Sequence, residues 1–219
     1  MEWKYPYKTK PFEHQRTALN KSAEENSYAY FMEMGTGKTK TAIDNIGYLY
    51  LRKEIDTVLI IAPKSVYTIW SKEIQAHLPD VVGRDIFQWK LDKPKSWNFF
   101  LKSKKLKIFL MNVEALSGKN GYKEAESFLK KFPKNFAVID ESTTIKNPKA
   151  KRTKYILSLS KHIKFRRILT GSPVTKSPLD LYSQCYFLDP KLLGFESFYS
   201  FRNRYAEMHQ IQMGANRFI

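Results

Sequence analysis

Six short apolar runs, separated by segments of helical spacing, constrain this chain more than any other feature. The runs are Ser27 to Met34, Thr57 to Ala62, Asp85 to Trp89, Lys107 to Met111, Phe136 to Ile139 and Arg167 to Leu169. Most are continuous rather than alternating, as expected of strands covered on both faces. Between them the spacing predicts helices over Lys40 to Arg52, Val66 to Leu78, Tyr122 to Phe132 and Ala150 to Lys161. Alternating strands and helices predict parallel βαβ units, hence an α/β domain of three layers around a central, mostly parallel sheet. Such sheets bind ligands beyond the carboxyl ends of their strands, so candidate chemistry is sought there.

No Gly/Ser-rich linker divides residues 1–190, which read as one domain. Leu193 to Tyr205 is aromatic and basic, and residues 191–219 read as the start of a helical extension or linker, apparently truncated.

One strand end carries an unusual turn. Tyr30-Phe31-Met32-Glu33-Met34-Gly35-Thr36-Gly37-Lys38-Thr39 runs from a strand through two glycines into a helix, the context in which Gly-x-Gly-Lys-Thr forms a P-loop. Gly35 and Gly37 let the backbone bend until successive amides face phosphate oxygens, and the helix N-terminus adds its dipole. Met34, Gly35, Thr36, Gly37, Lys38 and Thr39 are therefore the candidate cradle. Within it, Lys38 is expected to reach the β- and γ-phosphates of ATP and the Thr39 hydroxyl to ligate Mg²⁺. The first glycine of the general pattern is replaced by Met32.

Hydrolysis needs more than a phosphate site. Phe136-Ala137-Val138-Ile139-Asp140-Glu141 is an apolar strand ending in two carboxylates. At such a strand end Asp140 is the candidate for holding Mg²⁺, and Glu141 for orienting and deprotonating a water. Alone, such a pair is more often an ordinary helix or turn start; its meaning comes from the company of Lys38.

The composition bears on partners. Thirty-eight Lys and Arg against 21 Asp and Glu leave a formal charge of +17 on 219 residues, which points to a polyanion, although a lysine-rich solvated surface has the same composition. Lys146, Lys149, Lys151, Arg152 and Lys154 follow the acidic pair closely, and Lys161, Lys164, Arg166 and Arg167 precede the segment from Leu169. The single cysteine, Cys185, permits no internal disulfide, and no apolar run approaches a membrane span. A cytoplasmic or nucleoid-associated, non-secreted protein without a membrane partner is expected. His14, His77, His162 and His209 lack metal-ligand spacing, and Trp70 reads as an anchor between its helix and the sheet.

Taken together, these segments resemble the superfamily two helicases and translocases, and most closely the SWI/SNF-type translocases of double-stranded DNA. The resemblance runs from about residue 10 to 205. Lys10-Pro11-Phe12-Glu13-His14-Gln15 is similar to the adenine-reading segment, with Gln15 as reader. Leu59 to Val66, followed by Trp70 and Glu73, is similar to the first DNA-contacting motif. Met111 to Leu116 resembles the next strand-end segment, with Val113 where an aromatic is usual. Asp140 to Asn147 is similar to the Asp-Glu-x-His box, but Thr143 stands at the histidine that links the ATP site to the neighbouring motif. Leu169-Thr170-Gly171-Ser172-Pro173-Val174 and the helix after it resemble the third motif.

The resemblance implies a RecA-like fold. It also implies nucleic-acid contacts at Lys64, Asn112 and Lys146, coupling through Thr170 and Ser172, and a second motor domain, carrying an arginine finger, that no segment here resembles. The expected function is the ATP-binding first motor domain of a DNA-dependent ATPase, nearly inactive until completed. Alternatives are a strand-separating DNA or RNA helicase, or a stand-alone nucleotide-gated nucleic-acid-binding module without turnover. A small-molecule kinase would need an acceptor site and lid arginines, and neither is recognisable.

Overall fold

The computed structural model describes residues 5–92 and 94–207. In chain order its elements are α1 (Glu13–Ser22), β1 (Ser27–Phe31), α2 (Lys38–Leu51), β2 (Thr57–Ala62), α3 (Ile69–His77), β3 (Arg84–Gln88), α4 (Lys95–Lys102), β4 (Leu106–Asn112), α5 (Lys119–Lys131), β5 (Asn135–Asp140), α6 (Lys151–Leu159), β6 (Phe165–Thr170), α7 (Leu181–Leu188) and α8 (Phe198–Tyr205). Every apolar run becomes a strand. The strands form one sheet in the order β1-β6-β5-β2-β4-β3, and every pairing is parallel.

Alternation within the continuous runs sorts side chains onto two faces. Val58, Ile60 and Ala62 of β2 join Ile43, Ile46, Trp70 and Ile74 in one apolar cluster, beneath α2 and α3. Leu59 and Ile61 join Phe109, Phe128, Ile156 and Phe187 on the other face, covered by α4 to α7. At about 1.5–3 kcal/mol for each large side chain fully buried, these two clusters hold the three layers together.

Helix ends depart from the spacing where the chain turns first. The turn from Pro63, closed by Val66 N–H to the Pro63 carbonyl at 2.9 Å, delays α3 until Ile69. The polar α1 and the short α4 escape the periodicity reading; α4 is held by Trp97 and Phe100, which lie against Phe109 with ring centroids 5.0 and 6.5 Å away. Beyond α7, α8 docks through Phe201 on Tyr182 at 5.5 Å.

Arg167 corrects the reading of the basic runs. It is 0% exposed, in β6 between two neighbours, donating to Asn45 Oδ1 (2.9 Å) and to the carbonyls of Ser22 (2.7 Å) and Glu25 (2.8 Å). It ties the end of α1 to the sheet and is no part of a cationic surface. The tail from Gln210 to Ile219, and His209, lie outside the described residues. Among the described residues no helix is long and apolar enough to cross a membrane, and no three His, Cys, Asp or Glu are grouped to hold a metal.

Candidate active site

The glycine turn and the acidic pair come together by topology. β6 lies between β1 and β5, with Phe31 opposite Thr170 and Asp140 opposite Leu169, so three strand ends converge at one sheet edge. Gly35, Lys38 and Thr39 from one side and Asp140 and Glu141 from the other line a single cleft of about 560 Å³, with Gln15 in its wall.

The turn is shaped by backbone needs that only glycine meets. Gly35 has φ 77° and Gly37 φ 83°, both left-handed. A Cβ on Gly37 would also lie 2.2 Å from Gln15 Nε2. Gln15 is buried there: its Nε2 donates to the Thr36 carbonyl at 3.0 Å, while its Oε1 accepts from Phe12 N–H at 3.0 Å. A ring nitrogen of His14 meets the same Thr36 carbonyl at 2.9 Å. The Lys38 ammonium donates to the carbonyls of Met32 and Glu33, both at 3.0 Å, and so fixes the curl of the loop from within.

Asp140 is 7% exposed, and both of its oxygens are engaged. Oδ2 accepts from the Trp70 indole at 2.9 Å and Oδ1 from Glu141 N–H at 3.0 Å. Burial raises its pKa above the ordinary carboxylate value, against the pull of the indole, the Glu141 amide and Lys38. Trp70 does anchor α3, but it also orients this carboxylate, which its spacing in the chain does not reveal.

Glu141 stands at φ 48°, ψ 62°, left-handed for a side chain with a Cβ. Such a backbone costs of order 1–3 kcal/mol and is kept where the surroundings enforce it. Burial, then the neighbouring Asp140, raises the pKa of Glu141, while Lys38 and a hydrogen bond to the Thr170 side chain oppose the shift. A carboxylate with raised proton affinity suits a general base.

The cleft fits a magnesium triphosphate by its donor set. Gly37 gives α2 no side-chain cap, so the N–H groups of its first turn have no partner within the helix and line the cleft with the positive end of the dipole. Nothing stands within 4 Å of the position a Cβ would take on Gly35, which leaves the loop open to close approach. The Thr39 hydroxyl and Asp140 carboxylate are hard oxygen ligands of the kind Mg²⁺ takes.

The remaining predicted residues spread along the strand ends. Thr170 ends β6, its Oγ1 accepting from Ser172 N–H at 3.2 Å, and Met34 rests against Gly171. Lys146 is committed to a hydroxyl and a carboxylate: its ammonium bonds Thr175 and lies 3.5 Å from Asp180. Against a burial cost, bonds from Thr175, Lys176 N–H and the Lys146 charge hold the Asp180 carboxyl down at about 2. Asn112 caps the short 3₁₀ turn Val113–Ser117 by accepting from Ala115 N–H at 2.7 Å. Lys64 is exposed just past β2. Lys64 thus points at solvent, while Asn112 and Lys146 each have an intramolecular partner. Trp70 and His14 are contributors that no local spacing announces.

The SNF2-related domain matches residues 15–216. The SWI/SNF-related matrix-associated actin-dependent regulator of chromatin subfamily A-like protein 1 of Xenopus tropicalis is 31% identical over 185 residues, 83% of this chain and 17% of that protein. Chromatin remodeling factor mit1 of Schizosaccharomyces pombe is 26% identical over 185 residues, 82% of this chain and 13% of that one. The chain therefore spans less than a fifth of the length of these relatives. Among solved structures, the Sulfolobus solfataricus SWI2/SNF2 ATPase core in complex with dsDNA superposes with a TM-score of 0.70 at 27% identity, covering 91% of this chain and 39% of that one. An all-parallel sheet with that core's fold, and a domain match running nearly the length of the chain, place this protein in the SNF2-related domain family.

Proposed function

We propose that this chain is the ATP-binding first motor domain of a DNA-dependent ATPase that translocates on duplex DNA. The observation that carries the reading is the meeting, in one cleft, of an uncapped helix N-terminus bearing Lys38 and Thr39 with the buried carboxylate of Asp140 and the half-buried one of Glu141. MgATP, when bound, supplies the phosphoanhydride and the metal charge that the transfer to water requires. The loop amides from Met34 to Thr39 and the Lys38 ammonium hold the negative charge of the phosphates. Thr39 and Asp140 hold Mg²⁺, directly or through water, and Gln15 recognises the adenine. Glu141 orients a water and takes its proton, while Thr170, bonded by Ser172 N–H, and Ser172 relay the state of the cleft.

The duplex-DNA reading is supported by the +17 charge and by the relative solved on dsDNA. Lys64, with Asn112 and Lys146 along the same strand ends, is the proposed contact row. A second motor domain, in the same chain or a partner, completes the site; arginine fingers supplied in this way are worth roughly 10³ to 10⁵ in turnover. This chain alone binds nucleotide and hydrolyses it slowly.

Titration calorimetry with MgATP tests the reading. The chain should bind, and Lys38→Ala should weaken binding by about a hundredfold or more, a loss of roughly 3 kcal/mol. Equal affinity in the two proteins would refute the cradle. Strand displacement on DNA and RNA duplexes by the completed protein would instead favour the helicase alternative.

A further inference from the structure

Gln184 sits in the middle of α7, fully buried, where the core alone would favour an apolar side chain. All its principal polar capacity is engaged. Nε2 donates to the carbonyls of Pro173 and Asp180, both at 2.8 Å, and Oε1 accepts from the Ser142 hydroxyl at 2.6 Å. Two carbonyls facing the amide nitrogen fix which end is which, and therefore make Ser142 the donor. Docking of α7 does not need these bonds, because Phe187 and Leu188 already bury the helix in the lower apolar cluster.

The partners of Gln184 are neighbours of the reacting groups. Ser142, itself fully buried, directly follows Glu141 and its left-handed backbone. Pro173 lies in the turn that begins with Thr170, at the end of the strand paired with the one that ends at Asp140. The contacts therefore close a ring: from Glu141 along the chain to Ser142, across to Gln184, on to Pro173, back along the chain to Thr170 and, through the pairing of β6 with β5, to Asp140 and Glu141. Lys146 and Asp180 tie the same two segments again, nearer the surface. A buried amide with every bond made is costly to break, so displacement at one point of the ring is carried to the others.

We infer that Gln184 is a positioning residue. By gripping Ser142 and Pro173 together, it holds Glu141 in its left-handed backbone and makes the turn at residues 171–176 respond to what occupies the cleft. The inference rests on the proposed nucleotide site.

Hydrogen exchange on the 219-residue chain tests it, with and without a non-hydrolysable MgATP analogue. In the wild type, exchange across residues 171–176 should change on binding. Gln184→Leu should bind the analogue within about threefold of wild type, yet lose that change. Ser142→Ala, which removes the bond to Gln184 Oε1 but leaves the two that Nε2 donates, should lose most of it, and it decides the matter if Gln184→Leu does not fold. A wild-type response in Ser142→Ala, or in a folded Gln184→Leu, overturns the inference, as does a wild-type turn that ignores bound analogue. No binding by the wild type overturns the nucleotide reading first, and this inference with it.

Discussion

The cleft at the ends of β1, β5 and β6 differs in construction from the rim beyond β2. In the cleft three polar groups are built in: Asp140 is bonded by Trp70, Lys38 by loop carbonyls, and Gln15 by Phe12 and Thr36. Beyond β2, Lys64 stands in solvent. A triphosphate and its metal demand donors at set distances and a hydrolytic carboxylate in one orientation, and preorganisation supplies that. Duplex backbone asks chiefly for positive charge along a path, which flexible lysines provide without a fixed frame. Side chains are bonded in place where chemistry is proposed, and a solvent-exposed lysine stands where only charge is needed.

The largest effect that would break this contrast concerns Glu141. In the completed protein Glu141→Gln should keep ATP affinity while turnover falls by roughly 10²- to 10⁴-fold, and parallel loss of affinity would show that the carboxylate binds rather than reacts. Because burial and Asp140 raise its pKa, the wild-type turnover should fall on the acid side at a pH above the ordinary glutamate range. A limb at the ordinary value would remove Glu141 as the base.

Trp70→Phe sharpens the bonded half. It strips one donor from a buried carboxylate, which should cost about 1–3 kcal/mol in urea unfolding and weaken Mg²⁺-dependent nucleotide binding. The indole favours the ionised form of Asp140. The deficit should therefore be greatest where Asp140 is charged, and should shrink as pH falls through its raised pKa. A deficit independent of pH would mean that Trp70 only fills space.

Lys64→Ala should give the smallest effect. Duplex affinity should drop a few-fold for every sequence alike, with the salt slope reduced by about one, and nucleotide binding unchanged. A sequence-dependent loss would turn the exposed half into a reading surface.

How legible each part was depends on the distance over which its cause acts. β2 was found to the residue because a strand covered on both faces is apolar throughout, a property of six consecutive side chains. The glycine turn was legible for a similar reason, since its left-handed backbone is demanded within ten residues. α1 was missed because its sequence, EHQRTALNKS, buries little besides Gln15, Leu19 and Ser22. Arg167 read as surface charge because nothing beside it in the chain tells that β1 and β5 enclose it.

Trp70 and Gln184 show the limit at the site itself. Trp70 reaches Asp140 across 70 residues, and Ser142 reaches Gln184 across 42. A tryptophan on an apolar helix face, or a glutamine inside a helix, looks the same whether or not a carboxylate or a serine waits opposite.

The linear chain by itself determined the α/β alternation, the phosphate-type turn and the acidic strand end, because each follows from backbone geometry or solvation acting between near neighbours. Only the tertiary structure decided that β6 would enter between β1 and β5, that a distant indole would orient Asp140, and that Arg167 would be buried. Those outcomes follow from the burial of polar groups, which must find partners wherever the packed layers bring them.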